Sequence, residues 1–139
     1  MQAKIVLLTE TLSVTSQIVA DDIPQIAKGG YRTLINNRPD DEEPGQLSSA
    51  EARREAEALG IAYHYLPFTA ASLTTHEVDA FDKLMTRIDG PVLAHCRSGT
   101  RCYLLWAASE LRKGKASADD LISQAAGQGF DISALRRFA

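Results

Sequence analysis

The stretch LAHCRSGTRC, Leu93 to Cys102, sets a cysteine after an apolar run and follows it at once with Arg97, Ser98, Gly99, Thr100 and Arg101. A cysteine reacts as its thiolate, and a free thiol near neutral pH is mostly protonated. Three features of this stretch favour the anion. Backbone N–H groups of a tight loop can converge on one point and form a nest for negative charge. A helix starting after the loop adds the positive end of its dipole. Arg97 and Arg101 supply fixed charge, because a guanidinium stays protonated. Gly99 suits a loop that needs unusual dihedrals or a ligand close to its backbone. Such surroundings lower a thiol pKa by roughly 1–4 units. Cys96 is therefore read as a nucleophile and Arg101 as its catalytic partner. Arg97, Ser98, Gly99 and Thr100 are read as substrate-binding.

The neighbouring polar residues are more ambiguous. Adjacent residues of a strand point to opposite faces, so His95 is read as structural support rather than as a general base. Cys102 has two readings. It is a resolving thiol that accepts sulfur from Cys96 or bonds to it, or it is a small packing residue at a helix start. Arg38 either binds the outer part of a dianionic substrate or pairs with Asp40, Asp41, Glu42 or Glu43. Asn36 and Asn37 read as turn formers. Tyr103 and Trp106 read as core.

These residues must be positioned by a fold that 139 residues can build as a single domain, residues 1–139. Hydrophobic residues make up 45% and charged residues 24% of the chain, enough for a packed core. A net charge of -3 argues against nucleic acid as a partner. The apolar run Ile5–Leu8 is too short for a leader or a membrane span, so the expected location is cytoplasmic. Two cysteines and three scattered histidines match no usual metal spacing, and no cofactor is implied. Strands are predicted at Leu12–Val19, Tyr31–Asn36, Ile61–Leu66 and Pro91–Ala94. Asp21 or Asp22 caps a short helix that ends at Gly29-Gly30. Capping boxes at Ser48-x-x-Glu51 and Thr74-x-x-Glu77 open two more, the second with Val78, Phe81, Leu84, Met85 and Ile88 on one face. A further helix follows the cysteine loop to Arg112, another begins after Ser117, and Asp131 starts a last one through Phe138. Asn36 to Gln46 is a polar loop. Strands alternating with helices predict an α/β domain with a compact, mostly parallel central sheet. In such sheets ligands bind beyond the carboxyl ends of the strands, where the Cys96 loop falls.

At this level the chain resembles two families. Tyrosine and dual-specificity phosphatases carry H-C-x-x-G-x-x-R, whereas Cys96 and Arg101 are separated by four residues. That shorter spacing is similar to the loop of rhodanese-type sulfurtransferases. The segments LSVTSQIVADDI, INNRPDDEE and PVLAHCRSGTR resemble the phosphatase-like domain of beta-lactamase-hydrolase-like proteins, also found fused to sulfide-oxidising enzymes. The resemblance implies a dual-specificity phosphatase-like fold. In the related phosphatases an Asp some thirty residues before the cysteine protonates the leaving group. The equivalent stretch here, PFTAASLTT (Pro67 to Thr75), holds no acid, and the following His76, Glu77 and Asp79 read as the first turn of a helix.

The expected activity is therefore sulfur transfer. Cys96 takes sulfane sulfur from a small anionic donor such as thiosulfate and passes it to a thiol acceptor such as glutathione. A sulfide-oxidising enzyme is the expected protein partner. The alternatives are a cysteine phosphatase and a docking module without turnover of its own.

Overall fold

The computed structural model describes residues 1, 4–88 and 90–139. The elements in chain order are β1 (Val6–Leu7), β2 (Leu12–Thr15), α1 (Asp22–Lys28), β3 (Thr33–Asn36), α2 (Ser49–Ala58) and β4 (Ala62–Tyr65). They continue as α3 (Thr75–Arg87), β5 (Val92–His95), α4 (Thr100–Arg112), α5 (Ala118–Gly127) and a terminal 3₁₀ helix, Ser133–Phe138. The sheet order is β1-β2-β5-β3-β4. β2, β5, β3 and β4 run parallel, and β1 adds an antiparallel edge, so the sheet is mixed.

Both faces of the parallel strands are covered, and each face has its own core. Val14, Ile35, Val92 and Ala94 pack toward α3, α4 and α5 with Phe81, Leu104 and Leu121. Leu34, Tyr63 and Leu93 pack on the other face with Ile23 and Ile26 of α1 and Ala52 and Ala56 of α2. Burial on both sides explains why β2, β3 and β5 show no solvent-facing alternation.

The helix signals are realised with local chemistry. Ser48 accepts from the Glu51 amide at 3.1 Å. Thr74 and Glu77 form a complete capping box at α3. At α1 the cap differs from expectation: Asp21 makes no side-chain cap, and the Asp22 carboxylate instead accepts from the Val19 amide at 2.9 Å. One strand expectation is corrected and one strand is added. β2 stops at Thr15, because Gln17 leaves the ladder to donate its amide to the Arg97 carbonyl at 3.0 Å. β1, two residues long, carries too short a pattern to be read from sequence. Among the described residues no helix is long and apolar enough to cross a membrane.

The register sets up the site. Thr15 and Asn36 both pair with His95, and Asn36 also pairs with Tyr65. Four strands thus end on one line. The residues that follow them, Gln17, Cys96, Asn37–Arg38 and Leu66, leave the sheet together at its carboxyl edge.

Candidate active site

β5 delivers His95 and Cys96 to that edge, and α4 begins at Thr100. The turn between them depends on Gly99, which has φ +95° and caps α4. A Cβ at Gly99 would lie 3.1 Å from the Phe130 ring and 3.4 Å from the Thr15 carbonyl oxygen. Glycine is needed there for its dihedral and for the close approach.

The Cys96 sulfur is fully buried and accepts from the Gly99 amide at 3.1 Å. Its pKa is lowered to about 6, chiefly by the Cys102 thiol, against the opposing effect of burial, with backbone N–H groups of Cys102, Gly99 and Arg101 adding to the lowering. The thiolate is therefore the resting form at neutral pH. Cys102 is held in the complementary state. Its burial first, then its hydrogen bond and charge interaction with Cys96, push its pKa well above the ordinary value. Both cysteines are free thiols. The influence of Cys102 that favours the Cys96 thiolate thus goes with a protonated Cys102, a role that neither sequence reading of Cys102 contained.

His95 is buried, and burial pushes its pKa down to about 4, so the ring is neutral at physiological pH. Neither ring nitrogen has a hydrogen-bond partner among the described residues. His95 occupies the core as expected, without a side-chain bond to the loop. Ser98 and Thr100 pair through their hydroxyls at 2.9 Å at the exposed rim. Arg97 is 69% exposed at the mouth, 4.0 Å from Glu43.

Arg38 requires a correction. It is 1% exposed and cannot reach a substrate. Its Nε donates to Glu42 Oε1 at 2.7 Å, Nη1 to Gln17 Oε1 at 3.2 Å and Nη2 to Glu43 Oε1 at 3.0 Å. Its own amide donates to Asn36 Oδ1 at 2.8 Å. Every nitrogen is committed, so Arg38 is a post inside the site wall. Asn36 and Asn37 are likewise more than turn formers. Asn36 donates to the Tyr63 hydroxyl at 3.1 Å, and the Asn37 side chain donates to the Leu66 carbonyl at 2.9 Å. Both are buried and tie β3 to β4.

Glu42 was absent from the candidates, except as one of four acids that could pair with Arg38. It is the hub of the site. Its carboxylate takes two hydrogen bonds from Arg101, Nη1 to Oε2 and Nη2 to Oε1, both 2.8 Å, besides the one from Arg38. Arg101 Nη1 also donates to the Phe68 carbonyl at 3.3 Å. No described residue takes the Nε proton of Arg101, so that edge of the guanidinium remains for an anion. The Arg101 hydrogen bond first, then those of Arg38, lower the Glu42 pKa to about 2 despite partial burial. Glu42 is therefore no proton donor at neutral pH. The other acids near the expected proton-donor loop are occupied too. Glu77 belongs to the α3 cap, and Asp79 pairs with Arg112. Sequence offered one clue to Glu42, the acidic run DDEE two residues after Arg38.

Parallel strands that deliver a cysteine and an arginine from one strand-to-helix loop define a phosphatase-like α/β domain. Residues 4–113 match the family described as "Beta-lactamase hydrolase-like protein, phosphatase-like domain", and the chain belongs to that family. A beta-lactamase hydrolase-like protein of Xylella fastidiosa (strain Temecula1) is 36% identical over 129 residues, 93% of this chain. The match takes in 30% of that protein, so the chain spans about a third of the length of its curated relatives. A candidate phosphatase from Neisseria meningitidis Z2491 superposes with TM-score 0.85 at 36% identity, over 96% of this chain and 94% of that one. TpbA of Pseudomonas aeruginosa, solved in complex with pTyr, gives TM-score 0.71 at 18% identity over 98% and 85% of the two chains, a likeness of fold alone.

Three outcomes follow from this geometry. Alkylation of Cys96 by iodoacetamide should rise with pH and reach half its maximum near pH 6, where the thiol ionises. Cys102→Ala removes the donor and should move that midpoint upward by about one unit, whereas Cys102→Ser, which keeps an O–H, should restore most of it. Arg38→Ala leaves Glu42 and Glu43 without their buried cation and should cost about 3 kcal/mol in urea unfolding at pH 7. That loss should shrink as pH falls from about 4.5 toward 2, where Glu42 protonates in the folded chain.

Proposed function

We propose that this domain is a cysteine-dependent phosphatase acting on phosphate monoesters whose leaving group departs as an anion, activated aryl phosphates above all. The observation that carries this reading is the Cys96 thiolate set in a loop of N–H donors, beside an Arg101 edge that no described residue occupies. The Cys96 sulfur attacks phosphorus, an S–P bond forms, and the P–O bond to the aryl group breaks with its electrons on oxygen. Water then takes the phosphoryl group from Cys96 and regenerates the thiolate. Arg101 and the loop amides bind the phosphoryl oxygens. The family, the candidate phosphatase of N. meningitidis and the pTyr complex of TpbA support this reading. The restriction to good leaving groups follows from the proton-donor loop. Residues 67–75 carry no carboxylic acid, and Glu42 stays ionised.

One observation favours a second reading, sulfur transfer. The loop has one residue fewer than the phosphatase pattern, and sulfite leaves thiosulfate without needing a proton. In that reaction Cys96 attacks the outer sulfur of thiosulfate and the S–S bond breaks. Sulfite carries off the electron pair, and a thiol acceptor such as glutathione removes sulfur from the persulfide. A sulfide-oxidising enzyme is then the fitting partner.

A single set of assays separates the readings. Incubation with p-nitrophenyl phosphate should release phosphate in a vanadate-sensitive manner, and Cys96→Ser should lower that rate by about a thousandfold or more. Incubation with thiosulfate should leave the intact mass unchanged. A gain of one sulfur atom on Cys96, with sulfite released, replaces the first reading by the second. Neither product from the wild type overturns both and leaves a docking module.

A further inference from the structure

We propose that the cleft between α5 and Phe130 binds a cationic side chain carried next to the reacting group, so that the site favours phosphotyrosyl segments with a Lys or Arg close to the phosphorylated residue. The proposal rests on the reading of Cys96 as a nucleophile toward aryl phosphates and adds the chemistry that surrounds the ester.

The cleft adjoins the reactive turn. Phe130 Cε1 comes within 3.1 Å of where a Gly99 Cβ would stand, and the Gly99 amide is the one that donates to the Cys96 sulfur at 3.1 Å. The same ring packs on Tyr103 with centroids 5.1 Å apart. Phe130 is nonetheless half-buried. With Ile122, Ala126, Gly129 and Asp131 it lines a cleft of about 270 Å³. A water molecule occupies roughly 30 Å³ of liquid, so the cleft has room for a side chain.

The lining selects the occupant. Ile122, Ala126 and the Phe130 ring offer apolar surface for an aliphatic stem. Three features then draw a positive charge. Asp131 is the one charged residue among those lining the cleft, and its carboxylate accepts from the Ser133 amide at 3.0 Å. That bond first, then the Ser133 side chain, holds the Asp131 pKa below its ordinary value, so the carboxylate is ionised at neutral pH. Ala126 stands in the last turn of α5, a turn with no basic residue, so the chain itself does not match the negative end of that helix dipole. The face of the Phe130 ring adds attraction for a cation.

The turn and the cleft thus call for opposite charges, and a substrate meets both with two groups. The phosphate goes to the Arg101 edge and the loop amides. A neighbouring Lys or Arg lays its stem on Ile122 and Ala126 and sets its charge toward Asp131. Residues one or two positions from the ester lie about 3.5–7 Å along an extended chain, which spans the single ring between turn and cleft. A Glu in the same place would meet Asp131 and be repelled.

The test measures binding to the whole chain carrying Cys96→Ser, so it does not depend on turnover. Phosphotyrosyl peptides, otherwise Ala and Gly, carry one variable residue one or two positions to either side of the phosphotyrosine. At one of these positions Lys should bind about threefold or more tightly than norleucine, an uncharged residue of similar stem, and Glu should bind weakest. The Lys advantage should fade as salt is added. Asp131→Asn keeps a side-chain oxygen for the Ser133 amide and should cut that advantage to less than about twofold. Ala126→Lys, at an exposed helix position, supplies the cation from the chain itself and should do the same. Should Asp131→Asn not fold, Ala126→Lys decides alone. No Lys advantage at any position, or one that the folded variants leave intact, overturns the proposal. Hydrolysis of p-nitrophenyl phosphate by the wild type reports on the proposed function separately. Hydrolysis without a Lys advantage removes the cleft and keeps the phosphatase, whereas a Lys advantage lost in the variants, without hydrolysis, does the reverse.

Discussion

A sulfur anion placed below the molecular surface must have its charge answered locally, because bulk water no longer does so. Cys96 is such an anion, and most features of the carboxyl edge follow from it. Amide groups of the turn point at it, the thiol of Cys102 donates to it, and α4 starts beside it. Gly99 takes a conformation that other residues resist so that the turn can close around the sulfur. The sheet register serves the same end, since it brings the ends of β2, β3 and β5 level and lets the elements leaving them wall the site.

The opposite problem arises for the cations. Arginines that stabilise a thiolate would also repel one another and leave a buried guanidinium unpaired. The loop from Asn37 to Gln46 resolves this by threading two carboxylates between three arginines. Arg38 is the member that never sees solvent, and its four hydrogen bonds join the β2–α1 connection, the acidic loop and β3 into one unit. A buried ion pair is weak evidence of stability when set against an apolar replacement. Its value here is geometric, because it leaves Arg101 a single orientation.

Much of the frame was legible from residue order. Ser48, Thr74 and Ser117 announce helix starts because a hydroxyl cap acts over three residues, a range that sequence displays. Cys96, Gly99 and Arg101 were legible for the same reason, being neighbours in one turn. The phosphatase-like family, the α/β layering and a mostly parallel sheet were read correctly, and only the antiparallel edge strand β1 went unread. What escaped was the long-range part. Glu42 and Arg101 lie 59 positions apart, and an acidic residue in a polar loop carries no period or motif. For Arg38 the pairing with acids that follow it was one of the two readings, but that the pair lies inside the wall was not legible, because burial of a loop residue leaves no local pattern. Asn36 and Asn37 looked like turn formers because their type is common in turns, whereas their actual bonds reach β4, some 27 to 29 residues on.

Phe130 lies outside the span 4–113 that matches the family, yet its ring closes over Gly99 and packs on Tyr103 with centroids 5.1 Å apart. Tyr103 in turn donates its hydroxyl to Gln128. The reactive turn is therefore the joint product of a family signature and a segment beyond it. Divergence in that segment can retune the turn while every motif residue stays the same. A boundary drawn where the signature ends would cut through the support of the chemistry it was meant to delimit.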